Sequence, residues 1–136
     1  MNERTEVTAR GLITIGGHLL VAQGTHDPFC HAPGGHVEAG EQPVMALRRE
    51  LQEELGRAAS EVLPLTRLEN VFDKGATRIR EQMHLFAVKL YPELREVPPR
   101  SAEDHLTFRW IALQDMEREQ LMPPALYAWA RLIGGM

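Results

Sequence analysis

Near the start of the chain, Val7, Ala9, Ile13 and Ile15 sit at alternate positions, the period of a strand with one buried face. Gly16-Gly17 follows, a pair able to take the positive φ of a tight hairpin turn, and 18–23 (HLLVAQ) reads as the returning strand. Residues 24–33, with Gly24, Asp27, Pro28 and Pro33, read as a loop. Gly34-Gly35 carry that loop into a short extended piece at 36–38. The period then changes. Val44, Leu47, Leu51 and Leu55 recur at helical spacing and predict a helix of about three turns over 43–55. Pro43 suits its first turn, where a missing N–H costs nothing, and Gly56 suits its C-cap. Strand patterns return over 62–72 and 78–90, with Asp73-Lys74-Gly75 as the turn between them. Residues 92–100 are rich in proline and charge and read as a loop. Residues 105–112 alternate again, with Phe108 and Trp110 on one face. A helix is expected over 115–121, Pro123-Pro124 breaks it, and a last helix covers 125–133. Sheet, helix, sheet, helix with no internal linker predicts one domain over 1–136. The expected class is α/β or α+β, with helices covering a mixed sheet.

Composition narrows the setting. A 43% hydrophobic and 25% charged chain is ordinary for a globular protein. No apolar run is long enough to span a membrane, and the polar start, 1–10, does not resemble a signal peptide. One cysteine, Cys30, rules out a disulfide within the chain, so a cytoplasmic location is expected. The net charge of −4 argues against a broad nucleic-acid surface. An anionic small molecule is still admissible, because a bound cation can supply the positive field.

The chemistry concentrates in 35–56, GHVEAGEQPVMALRRELQEELG. Glu50, Glu53 and Glu54 stand at i, i+3 and i+4 of the expected helix and share about a third of its circumference, to one side of the leucines. Carboxylates that close repel one another, and a hard cation such as Mg2+ or Mn2+ removes the conflict. Just upstream, Pro33-Gly34-Gly35 offers backbone that a ligand can approach closely, with a carbonyl as one more oxygen ligand. Arg49 stands beside the glutamates, and Glu41 is placed to pair with it and steady the array.

This stretch resembles the Nudix box, G-x5-E-x7-R-E-U-x-E-E-x-G-U with U aliphatic. Gly35, Glu41, Arg49, Glu50, Leu51, Glu53, Glu54 and Gly56 fall on the pattern, and Arg57 departs from it at the final packing position. A chance match to seven such fixed positions is on the order of one in a million, so the pattern carries weight. The opening hairpin, Glu69-Asn70-Val71-Phe72 and 109–113 (RWIAL) are also similar to the family. The resemblance implies an α/β/α sandwich with a mixed sheet, and metal-assisted water attack on a phosphoanhydride of a nucleoside diphosphate derivative. It implies Glu53 and Glu54 as metal ligands and Glu50 as ligand or base. Because the base varies in the family, Glu103 and Asp104 before the Trp110 strand are also candidates.

Arg67, Arg78 and Arg80 are candidates for bidentate phosphate contacts, and Phe72 for base stacking, against the plain alternatives of surface charge and core. His31 and His36 flank the glycine loop and fit loop or substrate-edge roles. His84 is expected to pack or hydrogen-bond within its strand, and Cys30 to be structural. Pro123-Pro124-Ala125 resembles the matching region of MutT-like nucleoside triphosphatases. Leu126 follows where such a protein places a base-reading asparagine, which speaks against specificity for oxidised guanine. The partner expected is a nucleotide, not a nucleic acid or a membrane, with a homodimer left open. The rival functions are a nucleotide-binding module without turnover, an isomerase of the isopentenyl diphosphate type, and a hydrolase of RNA 5′ ends.

Overall fold

The computed structural model describes residues 2–91 and 99–135. The opening alternation becomes β1 (Asn2–Leu12) and β2 (Thr14–Ile15). Gly16 and Gly17, at φ 55° and 79°, turn the chain into β3 (His18–Gly24). Then come β4 (Gly34–His36), α1 (Pro43–Leu55), the long hairpin of β5 (Ala58–Lys74) and β6 (Thr77–Tyr91), β7 (Leu106–Ala112) and α2 (Leu126–Gly134). β1 pairs in parallel with β6 and antiparallel with β4, and β5 completes a mixed sheet of order β4-β1-β6-β5. A second, antiparallel sheet has the order β2-β3-β7.

Strand β6 shows how both sides are filled. Ile79, Glu81, Met83 and Leu85 are buried on one face. From Phe86 onward the buried set moves to the other face, with Val88 and Leu90. Phe86, Val88 and Leu90 belong to the core that includes Leu47, Leu51 and Leu55 of α1. Met83 and Leu85 belong to the core that includes Leu126 and Ala130 of α2. The helices therefore cover opposite sides of the sheet, the sandwich expected. Among the described residues no helix is long and apolar enough to cross a membrane.

The expected helix at 43–55 forms over those residues, with Pro43 in the first turn and Gly56 at φ 65° as C-cap. Strand bounds differ more. β1 begins at Asn2, because eleven of its residues find parallel partners along β6 despite their polar side chains. β5 runs from Ala58 through Pro64, with irregular pairing on either side of Ser60 and Leu65. As the edge strand of its sheet it tolerates the proline. The helix expected at 115–121 does not form. A short 3-10 turn, Leu113–Asp115, is followed by irregular turns in which Gln120 adopts φ 59°. Met116 and Leu121 are fully buried, and Leu121 pairs with Cys30 instead of extending a helix. The loop expected at 92–100 lies, for 92–98, outside the described residues.

Candidate active site

Helix α1 carries the three glutamates into three different environments, where the sequence suggested one shared face. Glu54 follows Leu51 by three residues, so it lies on the buried side and is only 3% exposed. Glu50 retains 18% of its side-chain exposure and Glu53 50%. Burial pushes the Glu54 carboxyl up to about 8, and the neighbouring Glu50 carboxyl, which it also meets by a hydrogen bond, pushes in the same direction. Arg10 and the backbone N–H of Gly34, 3.4 Å from Glu54 Oε1, act against that rise.

The two glycines explain how backbone comes so close. Gly34 stands at φ 137°, and a Cβ there would lie 2.0 Å from the Ala9 carbonyl oxygen. A Cβ on Gly35 would lie 2.5 Å from the Glu50 carboxyl carbon. Any side chain at either position would collide with the sheet or with the carboxylate array.

Arg49 ties the exposed carboxylates together. Its Nε and Nη2 donate to both oxygens of Glu41 at 2.9 and 3.0 Å, and its Nη1 donates to Glu50 at 3.0 Å. Nη1 also reaches Glu53 at 3.4 Å, and Nη2 donates to the His36 carbonyl at 3.0 Å. The bidentate grip of Arg49 holds the Glu41 carboxyl down at about 2. Glu38, 70% exposed, is 3.8 Å from the same guanidinium.

The donor set suits a hard cation. Two carboxylates meet in a largely buried position, and one of them holds its proton up to about 8 when nothing neutralises it. Among the described residues no three His, Cys, Asp or Glu side chains already converge as ligands. Glu53 faces Arg49, so it would have to rotate to join Glu50 and Glu54. Both the Gly34 carbonyl, which accepts from Arg10 at 3.1 Å, and the Gly35 carbonyl belong to the adjoining strand β4.

The loop before β7 is tethered to this helix. The Ala102 N–H donates to the Glu54 backbone carbonyl at 2.8 Å. Next to it, the Glu103 carboxylate pairs with exposed His105 at 3.1 Å, and Ser101 caps the Glu103 N–H at 3.1 Å. Asp104 is exposed. The candidate phosphate-binding arginines lie along the β5–β6 hairpin. Arg78 is bound to Asp73 at 3.0 Å, and Arg80 to Glu3 and Glu69. Arg67 is exposed, opposite His84 in the ladder. Phe72 is 40% exposed near the hairpin tip. His36 pairs with Glu6 at 3.0 Å, whereas His31 is held neutral, with burial and then Arg10 pushing it down to about 4. Cys30 is fully buried, its thiol donating to the Glu119 carbonyl at 3.4 Å, and burial raises its pKa.

One group escaped the sequence reading. Arg10 donates to the Ala32 and Gly34 carbonyls at 3.2 and 3.1 Å, and Glu81 stands 4.0 Å behind it. The signal was available: Glu81 interrupts the inward-facing series Ile79, Met83, Leu85, where an unpaired charge would be costly.

The NUDIX domain family model matches residues 5–132. A Mycobacterium tuberculosis (strain CDC 1551 / Oshkosh) protein named "Putative 8-oxo-dGTP diphosphatase 2" is 30% identical over 124 residues, 87% of this chain and 81% of that protein. Among solved structures, a MutT NUDIX hydrolase from Burkholderia pseudomallei superposes with a TM-score of 0.72 at 21% identity, covering 93% of this chain and 98% of the other. The E. coli ORF135 protein gives 0.67 at 23% identity, covering 97% and 93%. With its box glutamates on α1, its glycine pair against them and nearly its whole length matched, the chain belongs to the Nudix family and is a hydrolase of that family.

Proposed function

We propose that this hydrolase is a Mg2+-dependent pyrophosphohydrolase that cleaves a phosphoanhydride bond in a nucleoside triphosphate or a related nucleoside diphosphate derivative. The observation that carries the reading is the meeting of the Glu54 and Glu50 carboxyls against Gly34 and Gly35. Mg2+ or Mn2+ held there would neutralise the carboxylates and polarise phosphate oxygens for attack by water. Glu54, Glu50 and Glu53, with a carbonyl of Gly34 or Gly35, form the binding set. Arg49 and Glu41 fix the exposed side of that set. Glu50, or Glu103 from its tethered loop, takes the proton of the attacking water. Among the described residues no ion pair holds exposed Arg67, so it reaches a phosphate more readily than Arg78 or Arg80, which are already paired.

The name of the Mycobacterium tuberculosis relative favours an oxidised guanine nucleotide as substrate. Leu126 is fully buried in α2, so a base-reading group for that substrate would have to come from another position. Release of pyrophosphate or phosphate from a nucleotide panel that includes 8-oxo-dGTP, in Mg2+ and in Mn2+, decides among these. Turnover of at least one nucleotide supports the reading. Binding without turnover across the panel would make the chain a binding module instead.

A further inference from the structure

A polar cluster sits on the face of the mixed sheet opposite α1. Glu81 on β6 is 7% exposed. Its two oxygens accept from Thr8 Oγ1 at 2.6 Å and Asn70 Nδ2 at 3.2 Å, so neighbouring strands on both sides hold it. Its third partner is the Arg10 Nε at 4.0 Å, with side-chain exposures of 16% for Arg10 and 10% for Glu81. The far end of that guanidinium touches the chain just before the box. Nη1 lies 3.2 Å from the Ala32 carbonyl, 3.1 Å from the Gly34 carbonyl and 3.3 Å from His31 Nδ1. On its other side, Gly34 offers its N–H to Glu54 at 3.4 Å. The glycine strand is thus gripped from both faces of the sheet, by α1 carboxylates on one and by Arg10 on the other.

We infer that Glu81 is a positioning residue: seated by Thr8 and Asn70, it orients Arg10, and Arg10 fixes the Gly34-Gly35 backbone against Glu50 and Glu54. The physical reason is twofold. A guanidinium this enclosed needs a charge partner to remain in one orientation. Glu81 also balances a positive charge that would otherwise act on the neighbouring carboxylates and weaken cation binding there. The role in cation binding rests on the proposed metal site, whereas the backbone role does not.

The test is Glu81→Gln, which keeps the side-chain shape and loses the charge, compared with the same change in an Arg10→Met background. In the metal-free protein, the Gly34 and Gly35 amides should exchange with solvent at least roughly tenfold faster in Glu81→Gln, an increase well beyond that of the Leu20 and Val21 amides, which report any loss of global stability. Mn2+ titrated into the protein should bind at least about fivefold more weakly. In the Arg10→Met background, Glu81→Gln should add nothing to either change. Should Arg10→Met fail to fold, Arg10→Lys, which lacks the fork but keeps the charge, gives the same comparison for the glycine exchange alone. Unchanged glycine exchange in Glu81→Gln, or an equal effect with and without Arg10, overturns the inference. Failure of the wild type to bind Mn2+ would instead sink the metal site and leave the exchange result to decide this one.

Discussion

At the scale of single residues, the site depends on a glutamate placed where a leucine would pack. Glu54 titrates near 8 in the fold against about 4.5 when unfolded. For a carboxyl raised in this way, the stability contribution is full below the unfolded value and is lost as pH rises through the folded one. His31 acts in the opposite sense. Its folded value of about 4 lies below 6.5, so it adds stability above 6.5 that is lost as pH falls toward 4. The clean window is therefore about 6.5 to 8. Over it the metal-free Tm should fall, and Glu54→Gln should flatten the slope. Melts that rise with pH across that window, or an unchanged slope in the mutant, would contradict the assignment. The glycines make a second contrast. Gly34→Ala meets rigid backbone at a positive φ and should destabilise by about 2–4 kcal/mol in chemical denaturation. Gly35→Ala meets only the end of the Glu50 side chain, so it should cost less stability and more activity.

At the scale of elements, what could be read from the sequence followed how much local signal each segment carried. Helix α1 has a proline at one end, a glycine at the other and leucines between, and its bounds were legible to the residue. The β5–β6 hairpin was visible, but its length was not. Residues 58–61 lengthen it by pairing with 89–91, and their small and polar side chains give no strand pattern. Residues 115–121 misled for the converse reason. Their composition suits a helix, and the fold uses buried Met116 and Leu121 to bend the chain back onto Cys30. The box glutamates and Arg49–Glu41 were legible because their spacing is local. The Arg10–Glu81 pair joins residues on two strands far apart in sequence, and only pairing brings it together. The loop before β7 carries a prediction at this scale. With Ala102 bonded to α1, Glu103 is tethered near the helix end. Glu103→Gln should lower kcat at least roughly tenfold, with a smaller change in KM and almost no change in Tm. If kinetics run side by side at saturating Mg2+ show that only Glu50→Gln loses rate, Glu103 is a surface charge and the base lies in the box.

At the scale of the whole molecule, a chain of net charge −4 is proposed to act on a polyanion. A cation held where two sheet-facing carboxylates and a glycine strand meet, at the junction of α1 with the mixed sheet, would resolve that conflict. Both cores serve this arrangement: the α1 core seats the glutamate helix, and the opposite face seats Arg10 behind the glycine strand. The most direct measurement is the rate of phosphoanhydride cleavage by the wild type and by Glu53→Gln, each in EDTA and then with Mg2+ restored. The expected result is no turnover in EDTA, full recovery of the wild type on adding Mg2+, and a kcat at least about 100-fold lower in a folded Glu53→Gln protein. Undiminished cleavage in EDTA, or a Glu53→Gln enzyme with normal kcat and an unchanged metal requirement, would contradict it.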